Sequence, residues 1–228
     1  IGCVKEIKNN EFRVGLTPDN VRSYVAAGHE VQIERGAGVG SAYSDEQYLA
    51  AGAKISASAE SVWQWSEMLI KVKEPLKEEY PLMHDGLILY TYLHMDALMA
   101  QNVKGVAYET LMEADRSLPL LIPMSQIAGR LSIQEGAKCL EKHQGGRGVL
   151  LAGVPGTPKA NVVILGGGIV GMNACKMAVG CGANVTILDI SLPRLAYLDD
   201  LFGARIQTLY SNDANIQQSV TQADLVIG

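Results

Sequence analysis

Residues 165–171 read LGGGIVG, in which Gly166, Gly168 and Gly171 keep a G-x-G-x-x-G spacing. The motif follows the apolar run NVVI and opens MNACKMAVGCGA, a stretch with helical character. That setting suits a turn that holds the phosphates of a dinucleotide. Gly166 permits the tight turn, Gly168 lets a pyrophosphate approach the backbone, and Gly171 lets helix and strand pack closely. The following helix offers free N–H groups and a partial positive charge. Asp189 ends the next predicted strand, where a carboxylate can accept both ribose hydroxyl protons and repel a 2′-phosphate. NAD is therefore favoured over NADP as the cofactor. A glycine turn without ligand, beside an Asp that merely closes a strand, would carry the same letters; the strand–turn–helix–strand context favours binding.

Three basic residues elsewhere could act on a small acid. Arg13 lies in EFRVGLTP, Lys73 in KVKEP, and His94 closes YTYLH. An Arg grips a carboxylate through two parallel hydrogen bonds. A Lys polarises a carbonyl oxygen, and a His passes a proton near neutral pH. All three follow predicted strands, and in a parallel sheet such positions face the ligand crevice. From pattern alone, a surface Arg, a solvated Lys and a hydrogen-bonded strand-end His read the same. The remaining histidines, His29, His84 and His143, sit in turn-like or surface-like contexts. No His/Glu spacing suggests a metal site.

The elements that must position these residues alternate. IGCVKE, HEVQIERG, MLIKVKEP, GLILYTYLH and KGVAYET read as strands. TPDNVRSYVAAG reads as a helix with Thr17 as cap and Pro18 at its first position, and SDEQYLAAG as a second with Ser44 as cap. From Met124 to about His143 the spacing of Ile127, Leu131 and Leu140 predicts a long helix, with Gly129 and Gly136 suited to close packing. A second series follows: strand 161–165, helix 169–180, strand 184–189, helix 193–201, strand 204–209, helix 213–221 and a last strand in ADLVIG. Strands separated by helices imply parallel sheets. The fold class is thus α/β with two parallel-sheet domains, the second a partial Rossmann (doubly wound) dinucleotide fold with four strands where six are usual. The domains are expected at 1–124, for substrate and catalysis, and 125–228, for NAD, led by the connector helix 125–143.

Size and composition agree. A chain of 228 residues with 48% hydrophobic residues can bury two cores. A net charge of −5 without a basic block points away from nucleic acid and acidic membranes. No apolar run reaches the roughly 18 residues of a membrane-spanning helix, and the polar start lacks the apolar centre of a signal peptide. Cys3, Cys139, Cys175 and Cys181 show no CxxC spacing and read as small apolar filler. A cytoplasmic protein is expected.

KEIKNNEFRVGLTP, GAGVGS, KVKEP, YTYLH, AYET, PMSQIAGRLS, GGRGVLLAGVPG and VILGGGIVG occur in this order. Together they resemble the family of alanine dehydrogenases and the NAD-binding subunit of proton-translocating transhydrogenase. The resemblance implies reversible NAD-dependent oxidative deamination of L-alanine to pyruvate and ammonia, in a homo-oligomer, usually a hexamer. It also implies that Arg13 grips the substrate carboxylate, Lys73 meets the substrate oxygen and His94 is the catalytic acid/base. Ser125 would contact the cofactor, Ile169 and Val170 would lie at the phosphates, and Asp189, Arg194 and Ser211 on the adenosine side. A hydride-passing subunit without an amino-acid site and a non-catalytic NAD-binding module are the rival readings. Two departures stand out. Only MDALMAQNVK separates His94 from Gly105, short for a parallel crossover, so a stretch near Met95 is expected to be absent. The family also continues past DLVIG with a catalytic aspartate and residues around the nicotinamide, so the sequence is expected to be either a fragment of a longer protein or a truncated one.

Overall fold

The computed structural model describes residues 1–93 and 102–228. They form two compact units, Ile1–Leu118 and Pro119–Gly228. The boundary expected after residue 124 falls instead inside the first turn of the helix that opens the second unit.

The first unit contains β1 (Gly2–Cys3), α1 (Pro18–Ala26), β2 (Gln32–Glu34), α2 (Asp45–Ala50), β3 (Lys54–Ser56), α3 (Ala59–Trp65), β4 (Met68–Ile70), β5 (Ile88–Thr91) and β6 (Lys104–Ala107). Among the described residues the strands form one parallel sheet in the order β3-β2-β1-β4-β5-β6. This is the doubly wound order, with its reversal between β1 and β4. The helix starts follow from their caps. Thr17 and Asn20 form a capping box at α1 with Pro18 in the first turn, and Ser44 and Gln47 do the same at α2. Successive strand residues serve opposite faces of the sheet. Cys3 and Ile70 join a cluster with Leu16, Val21, Ile33 and Tyr48. Their neighbours Val4 and Leu69 join another with Trp63, Leu87 and Leu89. Each fully buried Leu in the second cluster contributes roughly 1.5–3 kcal/mol.

β3 and α3 were not anticipated. A strand of three residues with a single buried side chain shows no alternation. A helix of seven residues capped by Ser58 is too short to display a stripe.

The second unit contains α4 (Ile122–Cys139), β7 (Asn161–Leu165), α5 (Ile169–Gly180), β8 (Asn184–Asp189), α6 (Leu192–Phe202), β9 (Ile206–Tyr210), α7 (Asp213–Gln222) and β10 (Leu225–Ile227). Its described strands form a parallel sheet in the order β10-β7-β8-β9. α4 shows the close packing expected at Gly129 and Gly136. Ile127 and Leu131 are exposed, while Gly129, Ile133 and Gly136 are buried. The glycines explain this. A Cβ on Gly129 would stand 2.2 Å from the Val170 carbonyl oxygen, and one on Gly136 would stand 2.6 Å from Leu225. α4 therefore lies backbone to backbone on α5, and the glycine side is the inner side.

No described helix is long and apolar enough to cross a membrane. Among the described residues no cluster of three His, Cys, Asp or Glu could hold a metal ion.

Candidate functional site

In the second unit the site is built around the turn after β7. Gly166 has φ +102°, a left-handed conformation that favours glycine. A Cβ on Gly171 would stand 1.8 Å from the Gly166 carbonyl oxygen, so the turn closes on itself only with glycine there. Around Gly168 a Cβ would meet nothing within 4 Å. That open space lies where a phosphate group has to come up to the backbone. No side chain caps α5, and its first bond runs from the Met172 N–H to the Gly168 carbonyl at 2.9 Å. The amides of Ile169, Val170 and Gly171 thus stay outside the helical ladder, as donors for an anion. These features fit a dinucleotide pyrophosphate.

Asp189 closes β8 beside this turn. One carboxylate oxygen accepts the Gly167 N–H at 2.6 Å and the other accepts the Ser191 N–H at 2.8 Å. The carboxylate so fixes both the glycine turn and the start of α6, and its remaining lone pairs stay available to ribose hydroxyls. Arg194 lies across the same turn. Its Nε donates to the Gly167 carbonyl, Nη2 reaches the Gly168 carbonyl at 3.5 Å, and the guanidinium sits 4.8 Å from the Tyr197 ring centroid. Ser211 follows β9, with its N–H donated to the Asp189 carbonyl at 3.0 Å. Ser125 lies in α4 one helical turn before Gly129, on the side of α4 that meets α5. The positions read from the sequence for the second unit thus gather around one turn, apart from Ser125, which stands on the neighbouring helix.

In the first unit the reversal of strand order between β1 and β4 leaves a crevice at their carboxyl ends. The segments after both strands converge there on three buried charges. Lys71 is fully buried, and its Nζ lies 2.7 Å from Glu79 and 3.3 Å from Glu6. The Glu6 carboxylate also accepts the N–H groups of Val72 at 2.6 Å and Lys73 at 3.4 Å. Glu79 accepts the Leu76 N–H at 2.9 Å. Burial pushes the Glu6 carboxyl above the ordinary range, opposed by the ammonium of Lys71 and the Val72 amide. The Tyr108 hydroxyl donates to the Lys71 carbonyl at 3.1 Å.

Arg13 stands above this group on the segment after β1. Glu11 holds it side-on, with Nε donating at 2.8 Å and Nη2 at 2.5 Å to the two carboxylate oxygens. The hydrogen bond from Arg13 keeps the Glu11 carboxyl below the ordinary range, and the charge of Lys73 adds to this. Arg13 in turn feels the negative charge of Glu6 and the nearby Tyr92 hydroxyl. Arg13 and Lys73 therefore belong to one electrostatic cluster. The GAGVGS loop supports the Arg13 segment from the side: Ser41 Oγ donates to the Phe12 carbonyl at 2.9 Å, and a Cβ on Gly40 would lie 2.6 Å from that oxygen. Glu74, next to Lys73, pairs with Lys8 at 2.6 Å. His94 and Met95 lie outside the described residues.

Sequence reasoning passed over Glu6, Glu11, Lys71 and Glu79. One signal was present. In IKVKEP two lysines stand two apart in a strand-like run, so both point to the same face, and a lysine entering a core needs a carboxylate partner.

Two family models match the chain: "Alanine dehydrogenase/PNT, N-terminal domain" over residues 2–128 and "Alanine dehydrogenase/PNT, C-terminal domain" over residues 132–228. An alanine dehydrogenase of Methanococcus maripaludis is 60% identical over 235 aligned positions, covering all of this chain and 63% of its own length. One of Staphylococcus haemolyticus is 55% identical over the same share. A solved L-alanine dehydrogenase structure matches the whole chain at a TM-score of 0.93 and 55% identity, again over 64% of its length. A transhydrogenase structure from Sinorhizobium meliloti, 22% identical with a TM-score of 0.79, shares the fold. The chain thus spans just under two thirds of the length of the relatives it matches, and the aligned positions exceed its 228 residues by seven.

Proposed function

The chain belongs to the alanine dehydrogenase/PNT family, and from that premise we propose that the protein of which it forms part catalyses the NAD-dependent oxidative deamination of L-alanine to pyruvate and ammonia, reversibly. The observation that carries this reading is the 60% identity to an alanine dehydrogenase along the entire chain. It is supported by a glycine turn with free helix N-terminal amides in one unit and by Arg13 and Lys73 in one electrostatic cluster in the other.

Arg13 would take the substrate carboxylate. Glu11 occupies the Nε side of the guanidinium, which leaves N–H groups on the two Nη atoms to form an end-on fork. Lys73 would lie at the substrate oxygen and polarise the carbonyl of pyruvate. His94 would deliver and remove the proton as water adds to the iminium of alanine and the carbinolamine releases ammonia. The turn amides of Ile169, Val170 and Gly171 would hold the pyrophosphate of NAD, with Gly166 and Gly168 shaping the approach. Asp189 would receive the adenosine ribose, with Arg194, Ser211 and Ser125 around the same half of the cofactor. When bound, NAD supplies the hydride acceptor. The same reading makes the intact protein a cytoplasmic homo-oligomer, a hexamer, with residues 1–124 serving substrate and 125–228 serving NAD.

The test is formation of NADH by the intact polypeptide with L-alanine and NAD. Turnover only with a second nucleotide as hydride acceptor, and none with alanine, would transfer the chain to the transhydrogenase reading. Residues 1–228 expressed alone should bind NAD weakly and turn over no alanine; NADH production by that fragment would remove the need for a catalytic group beyond it. Sedimentation of the intact protein at six times its chain mass checks the hexamer.

A further inference from the structure

The buried Glu6–Lys71–Glu79 group has no part in the chemistry above, yet it lies directly under the residues that would touch substrate. Two carboxylates around one ammonium are a poor choice for stability alone, since hydrophobic side chains of similar volume serve as well or better. What the group does hold is a loop. Glu6 takes the amides of Val72 and Lys73 at one end, and Glu79 takes that of Leu76 at the other. Lys71 ties the two carboxylates to each other. The segment between them carries Lys73, whose backbone would otherwise leave β4 as an unsupported turn.

We propose that Glu6 is a positioning residue for the substrate site: from the segment after β1 its carboxylate fixes the Val72 and Lys73 amides and thereby sets where the Lys73 ammonium projects. Lys71 is the counter-charge that allows Glu6 to sit in the interior, and Glu79 closes the far end of the loop. This rests on the reading of the crevice as the site of pyruvate and alanine. Glu6 touches neither substrate nor cofactor and acts only through the backbone of its neighbour. Its loss should therefore raise the KM for pyruvate while the nucleotide site in the other unit keeps its affinity.

The experiment compares Glu6→Ala and Glu6→Gln in the intact polypeptide by amide hydrogen exchange and by steady-state kinetics. In Glu6→Ala the Val72 and Lys73 amides should exchange about tenfold faster or more. The KM for pyruvate should rise about tenfold with the KM for NADH within about twofold. Glu6→Gln keeps an oxygen that can accept the Val72 N–H and should recover most of both effects. A Glu6→Ala protein that melts earlier but retains its pyruvate KM and its exchange at residues 72–73 would show a merely structural role and overturn the proposal. Glu6→Gln no better than Glu6→Ala would assign the effect to charge and overturn it as well. If Glu6→Ala does not fold, Glu6→Asp keeps the charge opposite Lys71 and withdraws the oxygens by one methylene. Unchanged exchange and KM in that variant would likewise end the idea. Absence of alanine turnover in the unsubstituted protein would defeat the functional reading alone, because the exchange measurement decides the role of Glu6 without any activity.

Discussion

Arg13 gives two of its N–H groups to Glu11, and that choice fixes which edge of the guanidinium faces outward. Arg13→Ala should abolish alanine use and leave NAD binding largely intact, as read by NADH formation and by cofactor titration; loss of both together would mean the fold had been damaged. The partner can be tested through pH. The Glu11 carboxyl sits below its ordinary value because Arg13 hydrogen-bonds the charged form. Stability from the pair is then fully present above the unfolded carboxylate value and is lost as pH falls through the depressed one. Arg13 is half exposed, so the gain is small, about 0.5–1 kcal/mol. Glu11→Gln should lower the melting temperature more near pH ~7 than near pH ~3. An equal loss at both values would separate Glu11 from Arg13. On the proposed function Asp189 would carry two duties, since its carboxylate holds two amides and would also face the ribose. Asp189→Ala should relax the preference for NAD over NADP and destabilise the unit by about 1–3 kcal/mol through the orphaned amides; an unchanged NAD/NADP affinity ratio would remove the ribose role. At this scale the glycine turn and the basic residues after β1 and β4 could be singled out as candidates, because glycine spacing and strand-end position leave a mark in the letters. Glu6, Glu79 and Glu11 left none, since a carboxylate in a loop looks solvated until the chain around it closes.

Among the elements, the α4–α5 pair depends on the absence of side chains. Gly129→Ala would drive a Cβ to 2.2 Å from the Val170 carbonyl oxygen, against backbone that cannot step aside. The variant should lose about 1–3 kcal/mol and, on the proposed function, weaken NAD binding, because Val170 would belong to the phosphate turn. Unfolding midpoints with and without NAD check both parts, and a neutral effect would mean the helices can separate freely. The sequence anticipated β7, α5 and β8 at their observed bounds, since five to twelve residues allow an apolar pattern to repeat. The strands of the first unit shrink to two, three or four residues; β3 escaped notice because only one of its side chains is buried, and α3 because its seven residues show no repeated stripe. The inner face of α4 is the glycine side, where close packing was expected. Hydropathy points to Ile127 and Leu131, but a glycine stripe lets two backbones meet and leaves those large side chains outside.

At the scale of the molecule, the cysteines report on which parts are closed. Cys3 and Cys175 are buried and Cys139 and Cys181 exposed. Burial pushes the Cys3 thiol up to about 12 and the Cys175 thiol up to about 11. Brief alkylation of the native protein at pH ~8 should label Cys139 and Cys181 and spare the other two until the fold is opened, as peptide mass spectrometry will show. Labelling of Cys3 under native conditions would mean that the sheet of the first unit opens far more readily than its packing indicates. Both sheets follow one winding scheme, for β9-β8-β7-β10 repeats β3-β2-β1-β4. On the proposed function, amino-acid preference would be written in side chains that leave β1 and β4, and coenzyme preference in those that leave β7 and β8. A protein engineer, or natural selection, could then rewrite either text and leave the other as it stands.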